Sequence, residues 1–215
     1  MTIITIGQNS TDTFTGITDT ELEQGAPDTN KATNDIIEVT KFGAGDHRDG
    51  MIITNFGAFR TSIANAPITL ASAVLNWWAD TAAPGGLINS VYESLRAAII
   101  TQATWNSFAT ASSWTSGGGR GNGTDRNATA LGAFTSISSG QFNQAVLDAA
   151  RVQAIINAGN LLIMTIERTD AENDSNFSSW RASENAIDLE RPFITLDYTL
   201  AAAGASPSLL LIGVG

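Results

Sequence analysis

With 215 residues, 43% of them hydrophobic, the chain is long enough to bury the core of one domain of ordinary size. A net charge of −10 and a pI of about 4.3 set it against duplex nucleic acid and anionic membranes, so neither is an expected partner. The absence of cysteine removes disulfides, thiolate catalysis and thiolate zinc sites.

The opening MTIITIGQNSTD carries no basic region, no long apolar stretch and no cleavage-site pattern, so it does not read as a signal peptide. No apolar run approaches the ~20 residues that span a bilayer, and membrane insertion is not expected. Ile3, Ile4 and Ile6 make a short apolar start, followed by Thr-, Asp- and Gly-rich turns. Residues 26–42 hold a Pro/Asn loop, PDTN, that opens into a strand with Ile37 and Val39 on one face and Glu38 and Thr40 on the other. GAGDHRDG at 43–50 is turn chemistry, and MIITNFGAF at 51–59 is the next strand. In the strand at 67–80, Ala71, Ala73, Leu75 and Trp77 share one face and Ser72, Val74, Asn76 and Trp78 the other.

Pro84-Gly85-Gly86 is a turn, and Leu87 to Ile100 fits strand and helix periods alike. The loop holding Gly117, Gly118, Gly119, Gly121 and Gly123 is expected to be a flexible surface segment. It lacks the Gly-Lys-Ser/Thr ending of a phosphate loop. QFNQAVLDAARVQAIINA at 141–158 is predicted to be the one short helix. Phe142, Val146, Ala149, Val152 and Ile156 form its stripe, and Gly159 is the stop. LLIMTIE at 161–167 is apolar on both faces and suits a central strand. In RPFITLDY at 191–198 the alternation buries Ile194, Leu196 and Tyr198 and turns Thr195 and Asp197 outward. Short strands between turn clusters argue an all-β sandwich over 1–200. Residues 201–215 form a linker and an apolar C-terminal arm.

In this order the segments resemble the DNRLRE-motif family of jelly-roll modules, akin to carbohydrate-binding modules. The matches are Asp12-Thr-Phe, PDTN at 27–30, ASAVLNW at 71–77, ATWN at 103–106, SSWRASEN at 178–185 and RPFITLDY at 191–198. The resemblance spans roughly residues 10 to 200 and implies a jelly-roll β-sandwich. It also implies a structural calcium near the chain ends, for which Asp12 and Asp197 are the positions to test. No other cofactor is expected.

Catalysis finds little support in the residues. His47, the only histidine, sits among Gly and Asp and reads as an exposed loop residue; no acid pair of the glycosidase kind stands out. DAENDSN at 170–176 is either a calcium loop or a solvated acidic turn. Five Trp against two Tyr is a skewed usage, and flat aromatic faces stack on pyranose rings. Trp77 is assigned to the core. Trp78 and Trp114 are either glycan platforms or rings covered by a loop or a partner. Leu209, Leu210, Leu211, Ile212 and Val214 form a β-prone apolar string that either adds a strand to its own sheet or anchors the chain to a neighbour.

These readings lead to a non-catalytic structural subunit of a larger assembly, a tailed-phage virion protein with a carbohydrate-binding-like fold. Its expected partners are other subunits, including copies of itself, and surface glycans. The alternative is a carbohydrate-binding module of an extracellular enzyme or cell-surface protein.

Overall fold

The computed structural model describes residues 1–42, 46–82, 87–169 and 177–201. The chain is all-β in character, with two α-helices among the described residues. The strands are β1 (Thr2–Gly7), β2 (Phe14–Thr15), β3 (Ile17–Glu23), β4 (Ile36–Phe42), β5 (Asp46–Thr54), β6 (Ile68–Ala82) and β7 (Ile88–Glu93). They continue as β8 (Ser107–Ala109), β9 (Ser112–Ser113), β10 (Gly132–Thr135), β11 (Gln141–Val146), β12 (Leu162–Arg168), β13 (Phe177–Arg181) and β14 (Phe193–Leu200). Helix α1 spans Gly57–Ser62 and α2 spans Ala149–Ala158.

Eight strands close into a ring in the order β11-β10-β7-β12-β5-β4-β13-β6, with β6 pairing back to β11. Two long strands make the closure possible by changing partners along their length. On β5, Asp46–Arg48 pairs with β4, and Gly50–Thr54 pairs with β12. On β6, Ala79–Ala82 pairs with β13, and Ile68–Asn76 pairs with β14, the register slipping at Ser179/Trp180 and at Asp197/Tyr198. Such slips bend a strand and raise its twist, which is what a closing sheet needs. Outside the ring, β3 lies along β5, and β14, β1 and β2 extend the sheet from β6.

The ring is filled by rings. Trp77 and Trp180 stack with centroids 4.8 Å apart, and Phe134 tilts against both. All three are fully buried. The indole N–H of Trp77 donates to the Arg181 carbonyl at 2.7 Å and that of Trp180 to Ser178 Oγ, so neither burial leaves a donor unmet. As expected, Ile194, Leu196 and Tyr198 are buried, and β12 is buried along its whole length.

The expected helix over 141–158 divides in two. Residues 141–146 are strand β11, and the helix begins only after Asp148, whose carboxylate accepts from the N–H of Ala150 and Arg151. Phe142 and Val146 are four apart, a spacing that fits one face of a helix and equally one face of a strand. Gly159 ends α2 in the left-handed conformation, φ 74°, as its position implied. The sequence reading also took 43–50 for a turn and ran a strand on to Phe59. Instead β5 begins at Asp46, and Phe56 and Phe59 belong to α1 and its entry, packed into the core.

Candidate binding face

Strands β1, β14, β6 and β11 lie side by side, and their register fixes which residues share the outer surface. Ile3 stands opposite Asp197, which stands opposite Ser72. Thr5, Thr195, Val74 and Val146 form the next row, then Phe193, Asn76 and Gln144, and last Trp78 and Phe142. Paired residues in antiparallel strands point the same way, so these side chains make one continuous face.

The face has an aromatic end and an apolar end. Phe142 meets Trp78 edge-on at 5.3 Å and Phe193 at 5.1 Å. Beside them Asn76 links three strands: its amide N–H donates to Thr195 Oγ1 at 3.1 Å, and its Oδ1 accepts from Gln144 at 3.0 Å. At the other end Ile3 and Val146 are each 69% exposed. Ionisable groups are scarce on it. Asp80 is tied to Arg181, and Asp197 has a buried Oδ1 with no hydrogen-bond partner among the described residues. On a chain of net charge −10, a face this poor in charge and rich in exposed apolar surface suits contact with another surface. Its rings can stack on a flat apolar body, and its amides can donate and accept.

Of the two tryptophans singled out by alternation, Trp78 is half-buried at the aromatic end of this face, and Trp114 is not on it. Trp114 is only 7% exposed; its N–H donates to the Thr104 carbonyl at 2.9 Å, and Phe108 packs on its ring. It is a strut of a second core, on the far side of the sheet, where residues 94–131 cover Leu22, Met51, Ile53 and Ile163. The platform assignment of Trp114 is therefore corrected: the loop covers it.

The glycine loop is likewise packed, not a free surface segment. A Cβ on Gly117 would lie 2.2 Å from Trp105 Nε1, and one on Gly118 2.7 Å from the same ring and 2.8 Å from Asp49 Oδ2. Only glycine allows the loop to close on that tryptophan. Asp125 pins it further by accepting the N–H of Thr115, Ser116 and Gly121. Against the penalty of its burial, those donors and Arg96 hold the Asp125 carboxyl below its ordinary pKa.

Under the loop lies a charge cluster that the sequence reading missed. Arg120 grips Asp49 through two bonds of 2.7 Å, reaches Glu167 at 3.3 Å and lies over the Trp105 ring at 5.2 Å. Arg126 binds the other oxygen of Glu167 at 2.9 Å and sits 3.7 Å above Tyr92. Burial pushes the Asp49 carboxyl up to about 6, against the pull of Arg120, while the two acids hold Arg120 charged. Paired and enclosed, this cluster clamps the loop to β5 and β12 and offers no reactive group to solvent. The signal for it was the isolated polar residues within apolar strands, Asp49 before MIIT and Glu167 after LLIMTI. A second buried acid, Asp19, accepts the Ser183 N–H at 2.8 Å; burial, then the charge of Glu184, raise its pKa well above the ordinary value.

The remaining sequence candidates are placed as follows. His47 lies in β5, not in an exposed turn, with its ring parallel to Trp105 at 6.2 Å. Asp12 folds back on Gly7 and accepts the Asn9 N–H at 2.9 Å, its pKa raised by burial. Gly7 stands opposite Phe193, whereas Ile3 stands opposite Asp197. Asp12 and Asp197 are thus separated by four residues of β1, about 13 Å at ~3.3 Å per residue, and cannot share one ion. No group of three or more acidic or histidine side chains gathers for a metal among the described residues. The acidic stretch 170–176 and the arm residues Leu209, Leu210, Leu211, Ile212 and Val214 lie outside the described residues. No protein-family model matches the chain, and no curated protein is similar to it.

Proposed function

We propose that this protein is a non-catalytic structural subunit of a larger assembly, of the kind found in tailed-phage virions, and that it docks onto a neighbouring subunit through the outer face of β1, β14, β6 and β11. One observation carries the reading. That face keeps Ile3 and Val146 mostly exposed on the same surface as Phe142, Phe193 and Trp78, where ionisable side chains are few. Of the buried acids described above, Asp49, Asp125 and Glu167 are held by arginines, and only Asp19 relies on a backbone N–H, which fits a scaffold better than an enzyme. The finer fold assignment, a jelly-roll sandwich within the resemblance to the DNRLRE-motif modules, belongs to the same proposal. It is supported by β5 and β6 passing from one half of the ring to the other, as corner strands of packed sheets do. The motif residues also meet: Asn30 of PDTN donates to the carbonyls of Ile100 and Ala103, and Asn106 of the Thr-Trp-Asn segment donates to Asp28.

Native mass in solution tests it. Ile3→Lys with Val146→Lys places two charges on exposed positions and leaves the core untouched. The wild type should form oligomers, or co-assemble with its neighbours, and the double variant should not, at unchanged melting temperature. A second reading, a carbohydrate-binding module, is favoured by Trp78 standing beside the Asn76–Gln144 amides. In that case a glycan array would give hits that Trp78→Ala removes, and the Lys pair would leave mass unchanged.

A further inference from the structure

We infer that the cleft around Arg60 binds a compact organic anion: a carboxylate carried on a hydroxylated body, as in a uronic acid. The site is separate from the aromatic face and does not depend on it.

Arg60 is chemically exceptional in this chain. Seven other arginines each hold a carboxylate. Arg60 instead donates to two neutral carbonyls, those of Ile156 at 2.6 Å and Asn65 at 3.3 Å, and has no acidic partner among the described residues. A guanidinium has five N–H donors in a rigid fork, so several remain after these bonds, in the planar geometry that suits a carboxylate.

The surroundings are equally selective. Arg60 lines a cleft of about 230 Å³ with Asn55, Thr61, Asn65 and Asn160, and no acid lines it. Acids outnumber bases 21 to 11 in the chain, so an acid-free wall around a cation is a local reversal of sign. Three amides and a hydroxyl offer both donors and acceptors to a polyhydroxylated ligand. The cleft is below the roughly 300–1,000 Å³ of sites for drug-sized ligands, so it suits a single ring.

The arginine is also held in place. Ala64 and Asn65 are consecutive non-glycine residues with φ of 51° and 57°. A Cβ disfavours left-handed backbone, though Asn tolerates it, and here the pair closes the C-terminus of α1. The turn brings the Asn65 N–H to the Arg60 carbonyl at 2.7 Å and the Asn65 carbonyl to the Arg60 guanidinium. The last turn of α2 fixes the other side through Ile156. The turn at Ala64 and Asn65 is the capping geometry of the α1 C-terminus, which also sets the Asn65 carbonyl beside the guanidinium; the acid-free cleft around a cation with no carboxylate partner among the described residues is what points to a ligand.

Titration of the full chain by amide-resolved NMR tests this with three probes: D-glucuronate, D-glucose and sodium sulfate. Glucuronate should give saturable shifts centred on Asn55, Arg60, Asn65 and Asn160, and glucose none. Asn160→Asp places a carboxylate in the cleft without touching any bond of Arg60, and should weaken glucuronate at least tenfold with the melting temperature unchanged. Arg60→Lys keeps the charge but loses the fork and should also weaken it. Absence of saturable shifts with glucuronate overturns the inference. So do equal shifts with glucose, indifference to Asn160→Asp, or sulfate binding as tightly as glucuronate, which would mean an adventitious ion only.

Discussion

Two glycines five residues apart in one loop separate backbone strain from packing. Gly118 has φ +70° and Gly123 has φ +75°, so an alanine at either meets the same left-handed penalty, about 1 kcal/mol. Their surroundings differ completely. A Cβ on Gly123 would have no atom within 4 Å, whereas one on Gly118 would lie 2.7 Å from the Trp105 ring and 2.8 Å from Asp49 Oδ2. Neither neighbour can retreat, because Trp105 is packed in the second core and Asp49 is held by Arg120. Overpacking of this kind adds about 1–3 kcal/mol. Gly123→Ala should therefore lower the melting temperature by about 2–4 °C, and Gly118→Ala, at a combined ~2–4 kcal/mol, by about 4–16 °C. Calorimetry of the two variants beside the wild type makes the comparison, with the Trp105 emission spectrum as a local probe. Equal losses in the two variants would show that the loop does not close on Trp105, and the clamp described for Arg120 would fall with it.

Three further outcomes are expected. Asp19 has a folded-state pKa above its unfolded 3.8, so its protonated form stabilises the fold; that contribution is complete below 3.8 and is lost as pH rises through the folded value. Asp19→Asn keeps an acceptor for Ser183 and stays neutral, so its advantage in melting temperature over the wild type should widen from about pH 4 upward; a gap independent of pH refutes the assignment. Asp148→Ala removes the cap that accepts from Ala150 and Arg151 and should cost about 1 kcal/mol in urea unfolding, whereas no loss would mean that α2 is held by packing alone. Trp180→Ala empties the centre of the ring between Trp77 and Phe134 and should cost about 3–5 kcal/mol. A loss below ~1 kcal/mol would place the core elsewhere.

Strands with one unambiguous period were legible from residues alone. β6 and β14 alternate, β12 is apolar throughout, and each lies where its pattern put it. The boundary between β11 and α2 was not legible, because a spacing of four satisfies both a helix face and a strand face. The glycine loop was misread for a related reason. Glycine serves flexibility and close approach equally well, and only the position of Trp105, twelve or more residues earlier in the chain, distinguishes them. Of the candidate face, Trp78 was visible as the outward side of β6. Phe142 and Val146 were assigned to a helix, and Ile3 and Phe193 were not connected to it, because the register that joins four strands from distant parts of the chain leaves no local trace.

The two outer surfaces of the closed sheet are treated in opposite ways, and this asymmetry ties the fold to the proposed role. Over β3, β5 and β12 the chain lays down residues 94–131, which bury Trp105, Trp114, Ile100 and Ala103 against Leu22, Met51, Ile53 and Ile163. Those strands accordingly carry apolar residues on both faces. Over β1, β14, β6 and β11 no described segment is laid down, yet the outward positions hold Ile3, Val74, Val146, Phe142, Phe193 and Trp78 among Thr5, Thr195, Ser72, Asn76 and Gln144, with few charged residues. On the proposed role, the apolar members of this outward set are what a neighbouring subunit covers, and the polar ones between them supply hydrogen bonds to it.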